Sequence, residues 1–398
     1  MIDFRNPYTP GAGMIPKYLA GRQHVLDNAE RSIRAIAEGY QSRSVVYYGL
    51  RGVGKTVLLS KVEEIAEREH VLVHHLEVQE RQGFVKEIAL ASNAFILDLS
   101  RKEKAIDKIE RLKAIAASFA AVWNPDDNTV SVGLNERMYE AALAGTGNLS
   151  NDLTELFVAM GKYAASAKTA VCFCIDEMQY SKKEELEALI SALHRCNQLG
   201  LPILLFCAGL PKLLRSLSEA KTYSERLFEF VEIGSLGLDE AKKAIVEPAE
   251  KLDVSYTEGA IEAILRFTEG YPYFIQELCS TIWIKCTGRV VDVESIESSM
   301  DSAIEQLDKG FFSVRYSRCS PKEQSFMFAM VDCGELPCTM ANIASNMGQS
   351  VSSLGPCRAN LISKGLIYST GYGEVDFTVP QFDKFLKRVR CRESICDE

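Results

Sequence analysis

The chain has 398 residues, 47% of them hydrophobic and 25% charged, with a formal net charge of -9, which makes room for two or three domains and excludes long disordered stretches. The acidic balance excludes a protein that coats nucleic acid or an anionic membrane nonspecifically, though not a local basic surface. No run approaches the ~20 apolar residues that span a bilayer and Met1–Pro10 has no signal-peptide core, so a soluble cytoplasmic protein with no membrane partner is expected.

In chain order, a turn-rich start (Asn6–Met14) leads through Pro16–Arg22 into a helix with apolar positions at Val25, Leu26, Ala29, Ile33 and Ile36. From Ser44 to Ile233, short apolar runs alternate with amphipathic stretches. The strand candidates are Ser44–Tyr48, Val71–Glu77, Ala170–Ile175 and Ile203–Ala208. Strand–helix alternation predicts a mostly parallel sheet covered on both faces. The stretch between the second and third strands, Gln79–Thr169, reads as an insertion, with a charged helix at Arg101–Lys113 and a turn and short strand at Trp123–Leu134.

Leu238 to about Asp308 reads as helical throughout. Asp239 is placed to cap the first helix, two more cover Glu258–Phe267 and Phe274–Cys286, and Glu269-Gly270-Tyr271-Pro272 breaks them. Ser320-Pro321-Lys322-Glu323 has the cap serine, first-turn proline and glutamate of a capping box. Helix patterns at Met340–Asn346 and Val351–Gly365 follow, then a hairpin turning at Gly371-Tyr372-Gly373. Three helices and a hairpin describe a winged helix-turn-helix. The 12 cysteines include no CxxC pair, which argues against a zinc ribbon or thioredoxin-type site. Cys172 and Cys174 read as small buried hydrophobes.

Gly49-Leu50-Arg51-Gly52-Val53-Gly54-Lys55-Thr56 fits G-x-x-x-x-G-K-[ST], between a predicted strand and a predicted helix beginning near Val57. Glycines let the backbone wrap phosphate oxygens, and the helix points its positive end at the anion. Lys55 supplies a cation to the outer phosphates, and the Thr56 hydroxyl is a ligand for Mg2+. The candidate ATP-binding stretch is therefore Gly49, Leu50, Arg51, Gly52, Val53, Gly54, Lys55, Thr56 and Val57. The apolar run Val171–Ile175 ends in Asp176-Glu177. If that strand lies next to the Ser44–Tyr48 strand, Asp176 arrives beside the metal and Glu177 can act as general base on water. The bland alternative is two acids that end a strand and cap the next helix.

These motifs, with Tyr18-Leu19-Ala20-Gly21-Arg22, resemble the AAA+ P-loop ATPases of the initiator and origin-recognition type and the related signal-transduction (STAND-like) ATPases. The resemblance runs from about Tyr18 through Cys286, and the C-terminal winged helix matches the same clade. It implies an α/β P-loop NTPase domain at 1–235, a small helical lid domain at 236–315 and a winged helix at 316–398. By the resemblance, Tyr18, Leu19 and Arg22 lie against the adenine, and Pro272 belongs to a helix-start motif that contacts nucleotide. Arg226 takes the place of an arginine finger, which implies a homo-oligomer; the alternative is a guanidinium paired with Glu225 or Glu229. The resemblance also implies that Ile203–Ala208 is the sensor-1 strand, yet its end, Cys207-Ala208-Gly209-Leu210-Pro211, lacks the usual polar residue, and no sensor-2 arginine is visible.

From Arg318 onward acidic and basic residues balance, so the rest of the chain carries the whole negative charge. Lys384, Lys387, Arg388, Arg390 and Arg392 form a local basic cluster, and Arg358 and Lys364 fall on the helix that would enter a DNA groove. A protein-interaction module is the other reading of this segment. The expected function is a Mg2+-dependent ATPase whose nucleotide state controls assembly or engagement of DNA or a protein partner. The alternative is a nucleotide-gated switch or scaffold with little turnover and no DNA binding.

Overall fold

The computed structural model describes residues 3–11, 13–79, 82–102, 106–124 and 145–396, with only the backbone of 98–102, 106–109 and 393–396. The chain divides into two compact units: residues 22–49 with 55–233, and residues 1–21, 50–54 and 234–398.

The first of these is built on a five-stranded sheet. Helix α1 (Gln23–Ala37) precedes β1 (Ser44–Tyr48), α2 (Lys55–Arg68) and β2 (Leu72–Glu77). Among the described residues α3 (Val85–Lys102), α4 (Ile106–Trp123) and α5 (Leu149–Ser166) follow. Then come β3 (Val171–Asp176), α6 (Lys183–Gln198), β4 (Ile203–Gly209), α7 (Lys212–Ala220), α8 (Ser224–Leu227) and β5 (Phe228–Glu232). The sheet order is β2-β3-β4-β1-β5 and every pairing is parallel. β3 and β4 are buried at every residue, which is why they read as unbroken apolar runs. β2 and β5 lie at the edges and expose part of their length.

Of the charged helix expected over Arg101–Lys113, residues 101–102 belong to α3 and 106–113 to α4, and 103–105 lie outside the described residues. One expectation needs correction. Asp239 does not cap its helix; Gly237 is the N-cap, and Asp239 sits in the first turn. Most of the Trp123–Leu134 turn and strand lies outside the described residues. In the insertion, the buried Asp152 carboxylate accepts from Trp123 Nε1 at 3.0 Å and from the Thr146 and Gly147 amides at 3.0 and 3.1 Å, which ties α4 to α5. Phe157 of α5 stacks on Phe173 of β3, ring centres 5.4 Å apart, and anchors the insertion to the sheet.

The other unit begins with four helices: α9 (Leu238–Glu250), α10 (Glu258–Thr268), α11 (Pro272–Lys285) and α12 (Val293–Leu307). The two-residue strands β6 (Ser255–Tyr256) and β7 (Val290–Val291) pair in parallel. The N-terminal segment is bound into this layer. Tyr8 is 2% exposed and donates to the Ile245 carbonyl at 2.5 Å, while Trp283 Nε1 donates to the Asp3 carbonyl at 2.9 Å.

A π-helical turn (Asp308–Phe312) and α13 (Ser313–Tyr316) lead to α14 (Pro321–Val331), β8 (Cys338–Thr339), α15 (Met340–Met347), α16 (Val351–Ser363), β9 (Ile367–Gly371), β10 (Glu374–Phe377) and α17 (Phe382–Cys396). The hairpin and β8 make a three-stranded sheet in the order β8-β10-β9, with antiparallel pairing. The capping box forms as read: Ser320 N–H donates to Glu323 Oε2 at 2.7 Å, and Glu323 N–H donates to Ser320 Oγ at 3.4 Å. Phe312 packs between Phe274 of α11 and Phe385 of α17, at 6.1 and 5.3 Å. No helix among the described residues is long and apolar enough to cross a membrane.

Candidate active site

β1 ends at Tyr48 and α2 starts at Lys55. In the loop between them Gly52 and Gly54 take φ of +82° and +92°, a region costly for any residue with a Cβ. A Cβ on Gly54 would meet nothing within 4 Å, so the backbone conformation, not crowding, calls for glycine there. Lys55 Nζ donates to the Gly49 carbonyl at 2.9 Å, which closes the loop from its last residue to its first. The first-turn N–H groups of α2 have no partner within their own helix, and the helix dipole makes this end positive.

The neighbouring residue meets the acids. Thr56 Oγ1 donates to Asp176 Oδ2 at 2.6 Å. Asp176 is 4% exposed and its Oδ1 accepts from the Glu177 amide at 2.7 Å. The route to this contact differs from the expected one. β3 is not the neighbour of β1, because β4 pairs with both. The contact forms because the right-handed crossover from β1 to the far edge strand β2 lays α2 over β4, β3 and β2, and so the start of α2 reaches the end of β3.

Thr56 and Asp176 offer a hydroxyl and a carboxylate oxygen, the hard donors that suit Mg2+. Among the described residues no group of three or more His, Cys, Asp or Glu gathers to hold a metal. Glu177 has left-handed backbone, φ +52° and ψ +32°, which costs about 1–3 kcal/mol in a non-glycine residue.

Arg226 is exposed on α8. Its guanidinium makes no hydrogen bond or ion pair among the described residues, so the pairing with Glu225 or Glu229 is not formed. Arg22 is buried at the N-cap of α1, and burial lowers its pKa. Val57 is buried one residue beyond Thr56.

Tyr18, Leu19, Pro272 and the loop residues Leu50, Arg51, Gly52, Val53 and Gly54 group with the other unit. Tyr18 packs on that unit's helical core, with Lys251 Nζ 5.9 Å from its ring centre. Leu19 is half-buried. Pro272 is the first residue of α11, and its neighbour Tyr271 donates its hydroxyl to the Arg51 carbonyl. A Cβ on Gly52 would come within 3.2 Å of the Tyr271 ring.

Seven basic residues of the C-terminal segment have partners within the chain. Lys384 pairs with Glu269, Lys387 with Asp383, Arg390 with Asp332, and Arg388 and Arg392 both with Asp308. Lys364 pairs with Glu323 at 2.6 Å, and Arg358 Nη2 donates to Ser369 Oγ at 3.0 Å. The cluster is legible as charge, but apart from Asp383, four residues before Lys387, its partners lie far away in sequence.

One residue of the site was missed in the sequence. Gln179, in the 3-10 turn Met178–Tyr180 that follows the acids, is buried and donates from Nε2 to Glu177 Oε2. A buried amide two residues past a strand-end acid pair was the available signal.

Comparison with known proteins bears on the same segments. Residues 18–206 match the family described as AAA ATPase domain. Residues 309–386 match the one described as Domain of unknown function (DUF8462). No curated protein matches the chain. Among solved structures, the Walker-type ATPase PABY2304 of Pyrococcus abyssi is similar over 97% of this chain and 99% of its own, with TM-score 0.57 and 13% identity. The Aeropyrum pernix ORC1 protein, solved in complex with DNA, aligns over 94% of both chains with TM-score 0.46 and 14% identity. The Thermotoga maritima RuvB Holliday junction branch migration motor aligns over 94% of this chain and 97% of its own, with TM-score 0.43 and 15% identity. Likeness at such identity speaks to fold alone. Residues 18–206 thus carry an AAA-type ATPase domain on a P-loop NTPase fold, as the motifs indicated.

Proposed function

We propose that the protein is a Mg2+-dependent ATPase of AAA+ type whose nucleotide state controls its assembly or its hold on a partner. One observation carries the reading: the hydroxyl that opens α2 meets the carboxylate that ends β3 at 2.6 Å. In this reading the loop amides from Gly49 to Thr56 and the Lys55 ammonium hold the phosphates of ATP. Thr56 and Asp176 hold Mg2+, which when bound offsets charge on the phosphate oxygens. Glu177 takes a proton from the attacking water. Tyr18, Leu19 and Arg22 serve the adenine, and Pro272 belongs to a helix start that contacts the nucleotide. Arg226 acts on a neighbouring copy, a role its exposed and uncommitted guanidinium supports. The partner at the C-terminal segment is better read as protein than as DNA, because the cations expected to meet phosphate are engaged within the chain.

A second reading, the nucleotide-gated switch, is favoured by the apolar end of β4, where no side chain of the strand itself can test the phosphate. Phosphate release with Mg2+ and with chelator, in the wild type and in Glu177→Gln, separates the two. Mg2+-dependent turnover lost in Glu177→Gln supports the ATPase. Tight ATP binding without turnover supports the switch. A protein indifferent to millimolar ATP refutes both.

A further inference from the structure

β4 ends without a polar side chain of its own, yet a polar group sits there. Gln179 is 7% exposed, and its Oε1 accepts from the Leu210 amide at 3.0 Å while its Nε2 donates to Glu177 Oε2. The backbone donor fixes the amide's orientation, because only the oxygen can accept from an N–H. The nitrogen must then face Glu177. On the other side of this turn the Gly209 carbonyl accepts from the Gly49 amide at 3.2 Å. A line of hydrogen-bonded contacts therefore runs from the first residue of the glycine loop, through the end of β4, to the Glu177 carboxylate.

Two further observations mark this as a built arrangement. The left-handed backbone of Glu177 persists only where the surroundings over-determine it. A Cβ on Gly209 would lie 2.8 Å from Gln179 Oε1, so glycine at that point leaves room for the amide.

We propose that Gln179 is the positioning residue of Glu177: its amide orients the carboxylate and couples it, through the end of β4, to the glycine loop. It supplies from the next element the polar contact that the strand lacks. The proposal rests on the reading of Glu177 as the water-activating base.

Two variants separate positioning from simple support. Gln179→Met removes both hydrogen bonds. Gln179→Glu, assayed above neutral pH, keeps an acceptor for Leu210 and loses the donor to Glu177. Both are expected to lower kcat by about tenfold or more, within the ~10²-fold that a small misplacement of a reacting group costs. KM and Kd for ATP should stay within about twofold, as expected when only the chemical step is touched. In a Glu177→Gln background, Gln179→Met should cause no further loss. A wild-type kcat in Gln179→Glu would reduce Gln179 to a prop for Leu210 and overturn the proposal. So would an equal loss from Gln179→Met with and without Glu177. If instead Glu177→Gln turns over like the wild type, or the wild type does not turn over, the base reading itself falls and takes the proposal with it.

Discussion

Replacing Arg388 with alanine is expected to destabilise the unit that contains the C-terminal segment by about 3 kcal/mol, the lower end of what loss of one partner from a buried ion pair costs. The estimate starts from Asp308, whose side chain is 1% exposed. Arg388 grips both of its oxygens, Nε to Oδ2 at 3.0 Å and Nη2 to Oδ1 at 2.5 Å, and Arg392 adds one bond at 3.0 Å. The Arg388 side chain is 32% exposed and that of Arg392 is 60% exposed. Loss of Arg388 leaves a buried carboxylate with one mostly solvated partner. Loss of Arg392 leaves the two-pronged grip intact and should cost at most about 1 kcal/mol, as exposed pairs do. For a cooperative unit of roughly 150–250 residues, 3 kcal/mol corresponds to a Tm fall of roughly 6–12 °C. Thermal and urea unfolding of Arg388→Ala, Arg392→Ala and the double variant, followed by circular dichroism, would give the ranking. Equal small effects would refute the argument. So would unchanged stability together with a weakened, salt-sensitive affinity for duplex DNA, because the arginine would then serve phosphate rather than Asp308.

Other substitutions test the site and its scaffold. Glu177→Gln should keep ATP affinity and lower kcat by about 10²–10⁴-fold, the usual contribution of a general base, as read by phosphate release and nucleotide titration. Asp176→Asn and Thr56→Ala should each weaken the Mg2+ dependence of ATP binding, whereas Lys55→Ala should weaken binding with or without the metal. Isothermal titration across a Mg2+ series distinguishes these patterns. Gly161→Ala should destabilise the sheet unit by about 1–3 kcal/mol, as overpacking does, because the new Cβ would lie 2.8 Å from Leu201 Cβ. A Tm equal to the wild type would show that α5 yields more easily than its packing suggests.

What the sequence disclosed follows from how local each signal is. The glycine loop, Lys55 and Thr56 are consecutive, so their spacing already encodes the phosphate-wrapping chemistry. The Ser320 capping box closes over three residues and was equally readable. β5 was not, since Phe228-Glu229-Phe230-Val231-Glu232 is an edge strand with charges on its exposed positions and reads like the face of a helix. Strand order also stayed hidden. Parallel pairing joins segments far apart in sequence, and nothing in Val171–Asp176 says whether β1 or β4 lies beside it. Gln179 shows the same limit at the scale of one residue, because its partner Leu210 lies 31 positions away.

The position of Arg226 has a mechanical consequence. Two residues after it the chain enters β5, and Phe228 is paired in register with Ser44, the first residue of β1. β1 in turn runs without interruption to the loop at Gly49. A molecule that takes hold of this exposed arginine pulls on a stiff ribbon rather than a slack tether, and the load arrives at the start of the very strand whose far end shapes the glycine turn.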